Sequence, residues 1–162
     1  MNKYEKVIYI VDGGKSRRES TYNALKAIDD EDSIVLIHDA VRPFVSHSTI
    51  NRCIEALREC SAVYPAVPTA DTIIQTKDSL YVENIPMRRY MMRGQTPQGF
   101  KTYIIKKAHF IAKDDLNVDD EVTNDCGLIL RYGLCKIRIV DGNRENIKIT
   151  YPEDYSLIKK LL

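Results

Sequence analysis

The chain has 162 residues, and its 24 Lys and Arg against 23 Asp and Glu leave a formal net charge of +1. That balance gives no bulk electrostatic reason to expect nucleic acid or an anionic membrane as partner. No run of about 18 apolar residues marks a transmembrane helix, and the start, Met1 to Lys6, lacks the long apolar stretch of a signal peptide, so a single cytoplasmic domain over residues 1–162 is expected. The four cysteines, Cys53, Cys60, Cys126 and Cys135, form no C-x-x-C pair and read as buried, reduced thiols.

In chain order, Val7–Val11 reads as a first strand. Asp12 to Arg17 follows as a glycine turn with basic and hydroxyl groups, and Ser20–Ile28 has helical spacing with Leu25 and Ile28 inward. Strand, glycine turn and helix can present backbone N–H groups to a phosphate or a base. Gly13-Gly14 matches neither G-x-G-x-x-G nor a P-loop, so a plain turn is the alternative. After the acidic loop Asp29–Asp32, the short β-branched run Ile34–Ile37 reads as a strand buried on both faces. It stops at His38-Asp39-Ala40-Val41-Arg42-Pro43, where Pro43 ends the ladder. Ligands in open α/β sheets bind beyond the carboxyl ends of strands. Asp39 and Arg42 therefore stand where such a protein keeps its chemistry, with a structural Asp–Arg pair as the alternative.

Ser46 or Ser48 is placed to cap a helix with Ile50, Cys53, Ile54 and Leu57 on its apolar side. Ala62–Pro68 reads as a strand, with Pro65 suggesting an edge or an irregularity. Residues 69–94 break the alternation. Thr72–Thr76 and Leu80–Glu83 read as strands around a turn, followed by a run rich in Tyr, Met and Arg. We expect a protruding β-arm suited to a subunit interface, where those residue types are enriched. Gln95–Phe100 reads as an irregular polar turn and Tyr103–Ala108 as a helix. The acidic stretch Asp114–Glu121 reads as solvated loop and helix N-terminus, with a multi-carboxylate metal site as the alternative, although it lacks the glycine and spacing of an EF-hand. A helix over Asn124–Tyr132, with Cys126, Ile129 and Leu130 on one side, precedes strands over Lys136–Val140 and Ile147–Thr150 and a final helix over Glu153–Leu162. The fold class expected is α/β, a mostly parallel Rossmann-like nucleotidyltransferase sheet with helices on both faces.

Several separated segments together resemble one family. They are Gly13 to Ser20, His38 to Pro43, Asp71-Thr72, Gln95 to Phe100, Asn146 to Thr150 and Pro152 to Asp154. In order and spacing they are similar to the cytidylyltransferases that act on methylerythritol 4-phosphate or ribitol 5-phosphate. The resemblance implies attack of an alcohol phosphate on the α-phosphate of CTP, giving a CDP-alcohol and pyrophosphate with Mg²⁺. Such chemistry rests on positioning and charge neutralisation. By the same resemblance Asp39 would hold the metal and, with Ala40, line the nucleotide site. Gly13, Gly14 and Ser20 would contact cytosine, with Arg17 supporting their loop. Arg42 would steady the site, and Lys148 would stabilise developing phosphate charge. Thr72, Arg88 and Thr123 would hold the acceptor. The arm would cross to a partner subunit, so a homodimer with shared sites is expected.

Family members open with a strand and a glycine-rich loop that wraps the triphosphate, and this sequence has no such segment. The expectation is an N-terminally truncated domain lacking its first βα units. The alternative to an active enzyme is a non-catalytic remnant that dimerises or binds nucleotide without turnover.

Overall fold

The computed structural model describes residues 4–154, the side chains of residues 120 and 121 excepted. Its elements are α1 (Arg17–Lys26), β1 (Ile34–Ile37), α2 (His47–Ala56), β2 (Ala62–Pro68), β3 (Met92–Gly94), β4 (Gln98–Lys101), α3 (Thr102–Ile111), α4 (Val118–Glu121), α5 (Asp125–Arg131) and β5 (Arg138–Asp141). Three helices start where a side-chain oxygen meets an otherwise unpaired backbone N–H. Ser16 accepts from Glu19 N in α1, Ser46 from Thr49 N in α2, and Asn124 from Gly127 N in α5.

The five strands form one sheet in which β4 lies between β1 and β2, antiparallel to both. Strand β5 runs parallel to β2 on its other edge. Thus β1, β2 and β5 point one way and β3 and β4 the other. The sheet is mixed, not mostly parallel, because the stretch expected as a polar turn inserts as β4. Polar Gln98 is 1 % exposed there: its amide donates to Asn124 Oδ1 at 3.1 Å and its carbonyl accepts from Cys126 N at 3.1 Å. A buried polar residue with both ends satisfied is compatible with a central strand. Its neighbour Gly99 is required by close packing. A Cβ there would stand 2.7 Å from Val63 and 2.9 Å from Leu36 and Leu57.

The helices do lie on both faces. Cys53, Ala56 and Leu57 of α2 and the turn after it pack with Val63, Leu36 and Val140 on one face. On the other, Leu25 of α1, Ile104, Ile105 and Ala108 of α3, and Cys126, Leu128 and Ile129 of α5 cover Ala62 and Phe100. Burying Phe100 alone contributes about 2–3 kcal/mol. In α5 Cys126 and Ile129 face inward as expected and Leu128 joins them, whereas Leu130 is 67 % exposed, against expectation. All four cysteines are free.

Pro65 sits in a central strand. Ala66 pairs with Gly94 of β3 while Val63 pairs with Gly99 of β4, so Tyr64 and Pro65 stand opposite residues 95–98. This is a bulge in what would otherwise be one long strand. The Pro65 carbonyl accepts from Gln95 N at 2.8 Å, so its missing N–H falls on the bulged side, where no ladder bond is lost.

Four expected strands are absent. Residues 7–11 are irregular, with Ile8 78 % and Ile10 82 % exposed: a β-rich composition forms a strand only where a neighbour supplies the ladder. Residues 147–150 are likewise irregular, although Ile149 N donates to Val41 O. The two strands expected within 72–83 reduce to a single antiparallel bridge, Gln75 with Asn84. Every residue from Asp71 to Ile85 is exposed. The final helix falls outside the described residues beyond Asp154. No described helix is long and apolar enough to cross a membrane.

Candidate active site

At the carboxyl end of β1 the backbone turns through Asp39-Ala40-Val41-Arg42, closed by Arg42 N donating to Asp39 O at 3.0 Å. Asp39 is thereby presented just past the strand, its side chain 16 % exposed. The bulge holds it there from behind. Thr96 Oγ1 accepts from Asp39 N at 3.0 Å and also meets His38 Nδ1 at 3.0 Å. The other ring nitrogen of His38 meets Arg42 O at 2.9 Å, which braces the turn.

Three cations surround the Asp39 carboxylate. Arg42 comes from the same turn at 3.5 Å, Lys148 from the segment after β5 at 3.6 Å, and Arg17 from the first turn of α1 at 3.7 Å. Arg42 is oriented by its donation to Asn146 O at 2.7 Å. Asn146 is fully buried and donates to Thr96 O at 2.8 Å. Gln95, beside Thr96, donates to Asn143 O at 2.7 Å and accepts from Asn143 N at 3.0 Å. The bulge therefore ties down both the Asp39 turn and the loop that leads to Lys148.

These distances decide what Asp39 can do. A carboxylate locked into charge-assisted hydrogen bonds would sit about 2.7–2.9 Å from its donors. Asp39 is instead loosely ringed, and its oxygens remain open to a cation brought in by a ligand. Magnesium is commonly held by one or two carboxylates together with substrate phosphates. One accessible carboxylate, with three cations able to neutralise phosphate, fits that ion.

The glycine turn folds over the start of α1. Gly14 N donates to Ser20 Oγ at 2.9 Å, and Ser20 Oγ donates to Ser16 O at 2.9 Å. Gly14 has no room for a side chain, because a Cβ would lie 2.3 Å from Glu19. The Ser20 hydroxyl thus shapes the turn from inside, and Arg17 reaches from it to Asp39.

The structure therefore brings Asp39, Ala40, Arg42, Lys148 and Arg17 together, with Gly13, Gly14 and Ser20 adjacent through α1. Thr123 lines a small crevice with Arg17, Asn124 and Asp125. Thr72 and Arg88 lie on the exposed 70–91 excursion, where Arg88 donates to Ala70 O at 3.2 Å. Among the described residues no hydrogen bond or ion pair links either to Asp39. Sequence reasoning missed Gln95, Thr96 and Asn146 as supports. It also missed Asp125, whose partners are His109 at 3.0 Å and Arg17 at 2.7 Å. Burial pushes the Asp125 carboxyl up, but the His109 hydrogen bond and the Arg17 charge outweigh it and hold it below the usual carboxylate range. The one available signal was position: His109 follows Ile105 and Ala108 on the apolar face of α3.

The sheet places a carboxylate and a ring of cations beyond a strand end, where open α/β sheets bind their ligands, and such a cation ring suits a phosphate. The chain belongs to the family described as 2-C-methyl-D-erythritol 4-phosphate cytidylyltransferase, which matches residues 2–162. It is 42 % identical over 167 residues to the 2-C-methyl-D-erythritol 4-phosphate cytidylyltransferase of Thermobifida fusca, covering 99 % of this chain and 66 % of that one. The protein of the same name from Thermosipho melanesiensis is 41 % identical, with 98 % and 69 % covered. Among solved structures, the Anaerococcus prevotii 4-diphosphocytidyl-2C-methyl-D-erythritol synthase superposes with a TM-score of 0.86 at 35 % identity, covering 98 % of this chain and 72 % of that one. The Francisella tularensis cytidylyltransferase gives 0.87 at 30 % identity, with 99 % and 74 % covered. The chain spans about two thirds of the length of the curated relatives it matches.

Proposed function

We propose that the chain transfers a cytidylyl group from CTP to methylerythritol 4-phosphate, releasing pyrophosphate. The observation that carries the proposal is the single accessible carboxylate of Asp39 ringed by Arg17, Arg42 and Lys148, in a chain of this family. Asp39 would hold Mg²⁺, which when bound neutralises phosphate charge and polarises the phosphoryl oxygens. Lys148, half-exposed, has the reach to meet charge developing on the α-phosphate as the acceptor oxygen attacks. Arg42, fixed through Asn146, keeps the carboxylate oriented. The Gly13-Gly14 turn, shaped by Ser20, offers its backbone to the cytosine, and Ala40 borders the nucleotide.

Acceptor binding falls to Thr123 and, across a homodimer, to Thr72 and Arg88 of the exposed excursion. The apolar content of that excursion supports the dimer: Ile74, Leu80, Tyr81 and Val82 are each more than half exposed. Sedimentation should give a dimer, and a monomer at assay concentration would remove Thr72 and Arg88 from a shared site.

The purified chain is tested with CTP, Mg²⁺ and either methylerythritol 4-phosphate or ribitol 5-phosphate. Pyrophosphate release with the first is the expected result, and release only with the second reassigns the acceptor. CTP binding without release in either mixture leaves a nucleotide-binding protein and overturns the transfer reaction.

A further inference from the structure

Behind the site lies another carboxylate, almost sealed. Asp125 opens α5 and is 1 % exposed. One oxygen accepts from His109 at 3.0 Å and the other from Arg17 at 2.7 Å. The second terminal nitrogen of Arg17 faces Asp39 at 3.7 Å. Arg17 therefore bridges a tightly paired buried carboxylate and the loosely paired one at the site. Its guanidinium is a rigid plane, so fixing one nitrogen sets the direction of the other.

His109 is fully buried in α3 and stacks on Tyr22 of α1, with ring centroids 6.1 Å apart. Ionised Asp125 can only accept hydrogen bonds, so the His109 proton sits on Nε2. The other ring nitrogen, Nδ1, is buried without a partner. Such an orphan costs stability, which an apolar ring of the same shape would avoid. What histidine supplies that phenylalanine cannot is the Nε2–H aimed at Asp125.

We propose that His109 and Asp125 are positioning residues: the pair anchors Arg17 and, through it, sets the Asp39 carboxylate toward an incoming metal–nucleotide complex. The consequence for CTP rests on the function proposed above; the anchoring of Arg17 does not. Without its buried partner, the exposed half of a long arginine side chain regains rotamer freedom and stops presenting a fixed cation to Asp39.

Two readouts separate the claims. In the ligand-free chain, ¹⁵N spectra of arginine side chains should show Arg17 with hindered guanidinium rotation and slowly exchanging protons. His109→Phe keeps the ring, stack and volume but removes the donor, and should abolish that signature. His109→Gln, which restores an N–H donor, should recover it. Calorimetric titration with Mg²⁺ and CTP should show affinity about tenfold weaker in H109F, the scale expected when an outer partner of a ligating group is lost, and near the parent value in H109Q. Asp125→Asn provides the same readouts should H109F not fold. Lowered thermal stability in H109F with unchanged Arg17 signals and unchanged affinity would show a purely structural histidine and overturn the proposal. If the parent chain binds no CTP, the functional reading fails, and the Arg17 spectra still decide the anchoring.

Discussion

Gln95→Met tests whether the bulge organises the site. Gln95 is 6 % exposed and makes three hydrogen bonds to the loop after β5, two through its amide nitrogen and one through its oxygen. Methionine keeps the length and volume but leaves the Asn143 N–H and the two carbonyls without these partners. Each buried group left unpaired costs about 1–3 kcal/mol. Asn143 is half-buried, so water replaces part of the loss there, and the lower end applies. The expected total is about 2–3 kcal/mol, or about 4–12 °C in Tm for a domain of this size. The same change frees the loop that carries Asn146, and with it the carbonyl that orients Arg42. Thermal unfolding followed by circular dichroism reads the first effect, and pyrophosphate release the second. A Tm shift under about 2 °C with full activity would refute the view that the bulge braces the site.

Asp39→Asn should abolish pyrophosphate release while leaving Tm close to the parent, and unchanged turnover would remove Asp39 from the metal role. Asp125 titrates below its unfolded value, so its contribution to stability is present above about pH 4 and is lost as pH falls through the folded pKa. Tm between pH 7 and pH 3 should therefore fall less steeply in Asp125→Asn than in the parent, and equal slopes would contradict the assignment. Burial raises the Cys53 thiol to about 11 and the Cys126 thiol further still. In the native chain at pH 8 a disulfide reagent should reach only Cys60 and Cys135. Rapid modification of all four cysteines would show the core to be open.

The strand end at Asp39 was legible because it rests on local rules: a short β-branched run, an abrupt polar stop and a proline. The helix starts at Ser46 and Asn124 are local in the same way, whereas α1 begins at Arg17, capped by Ser16, inside the stretch expected as a turn. Residues 7–11 and 98–101 failed in opposite directions for one reason. Residues 7–11 have strand composition with no neighbouring ladder. Residues 98–101 have the composition of a polar turn, yet they are held between β1 and β2 by bonds to α5. Strand formation depends on partners distant in sequence. The site divides similarly. Asp39 and Arg42 share a turn and announce themselves, whereas Gln95, Thr96, Asn146, His109 and Asp125 gain their roles only from contacts spanning from 16 to 108 residues.

Pro65 constrains more than its own position. A slip of β2 by one residue against β3 and β4 would carry the proline ring out of the bulge and into a ladder position that needs an N–H. It would also turn Val63 away from α2. The proline thus works as a register lock, penalising the misaligned sheet instead of stabilising the correct one. Because Gln95 meets Pro65 at the lock and Thr96 follows it, the alignment of the sheet also fixes the place where Thr96 meets Asp39.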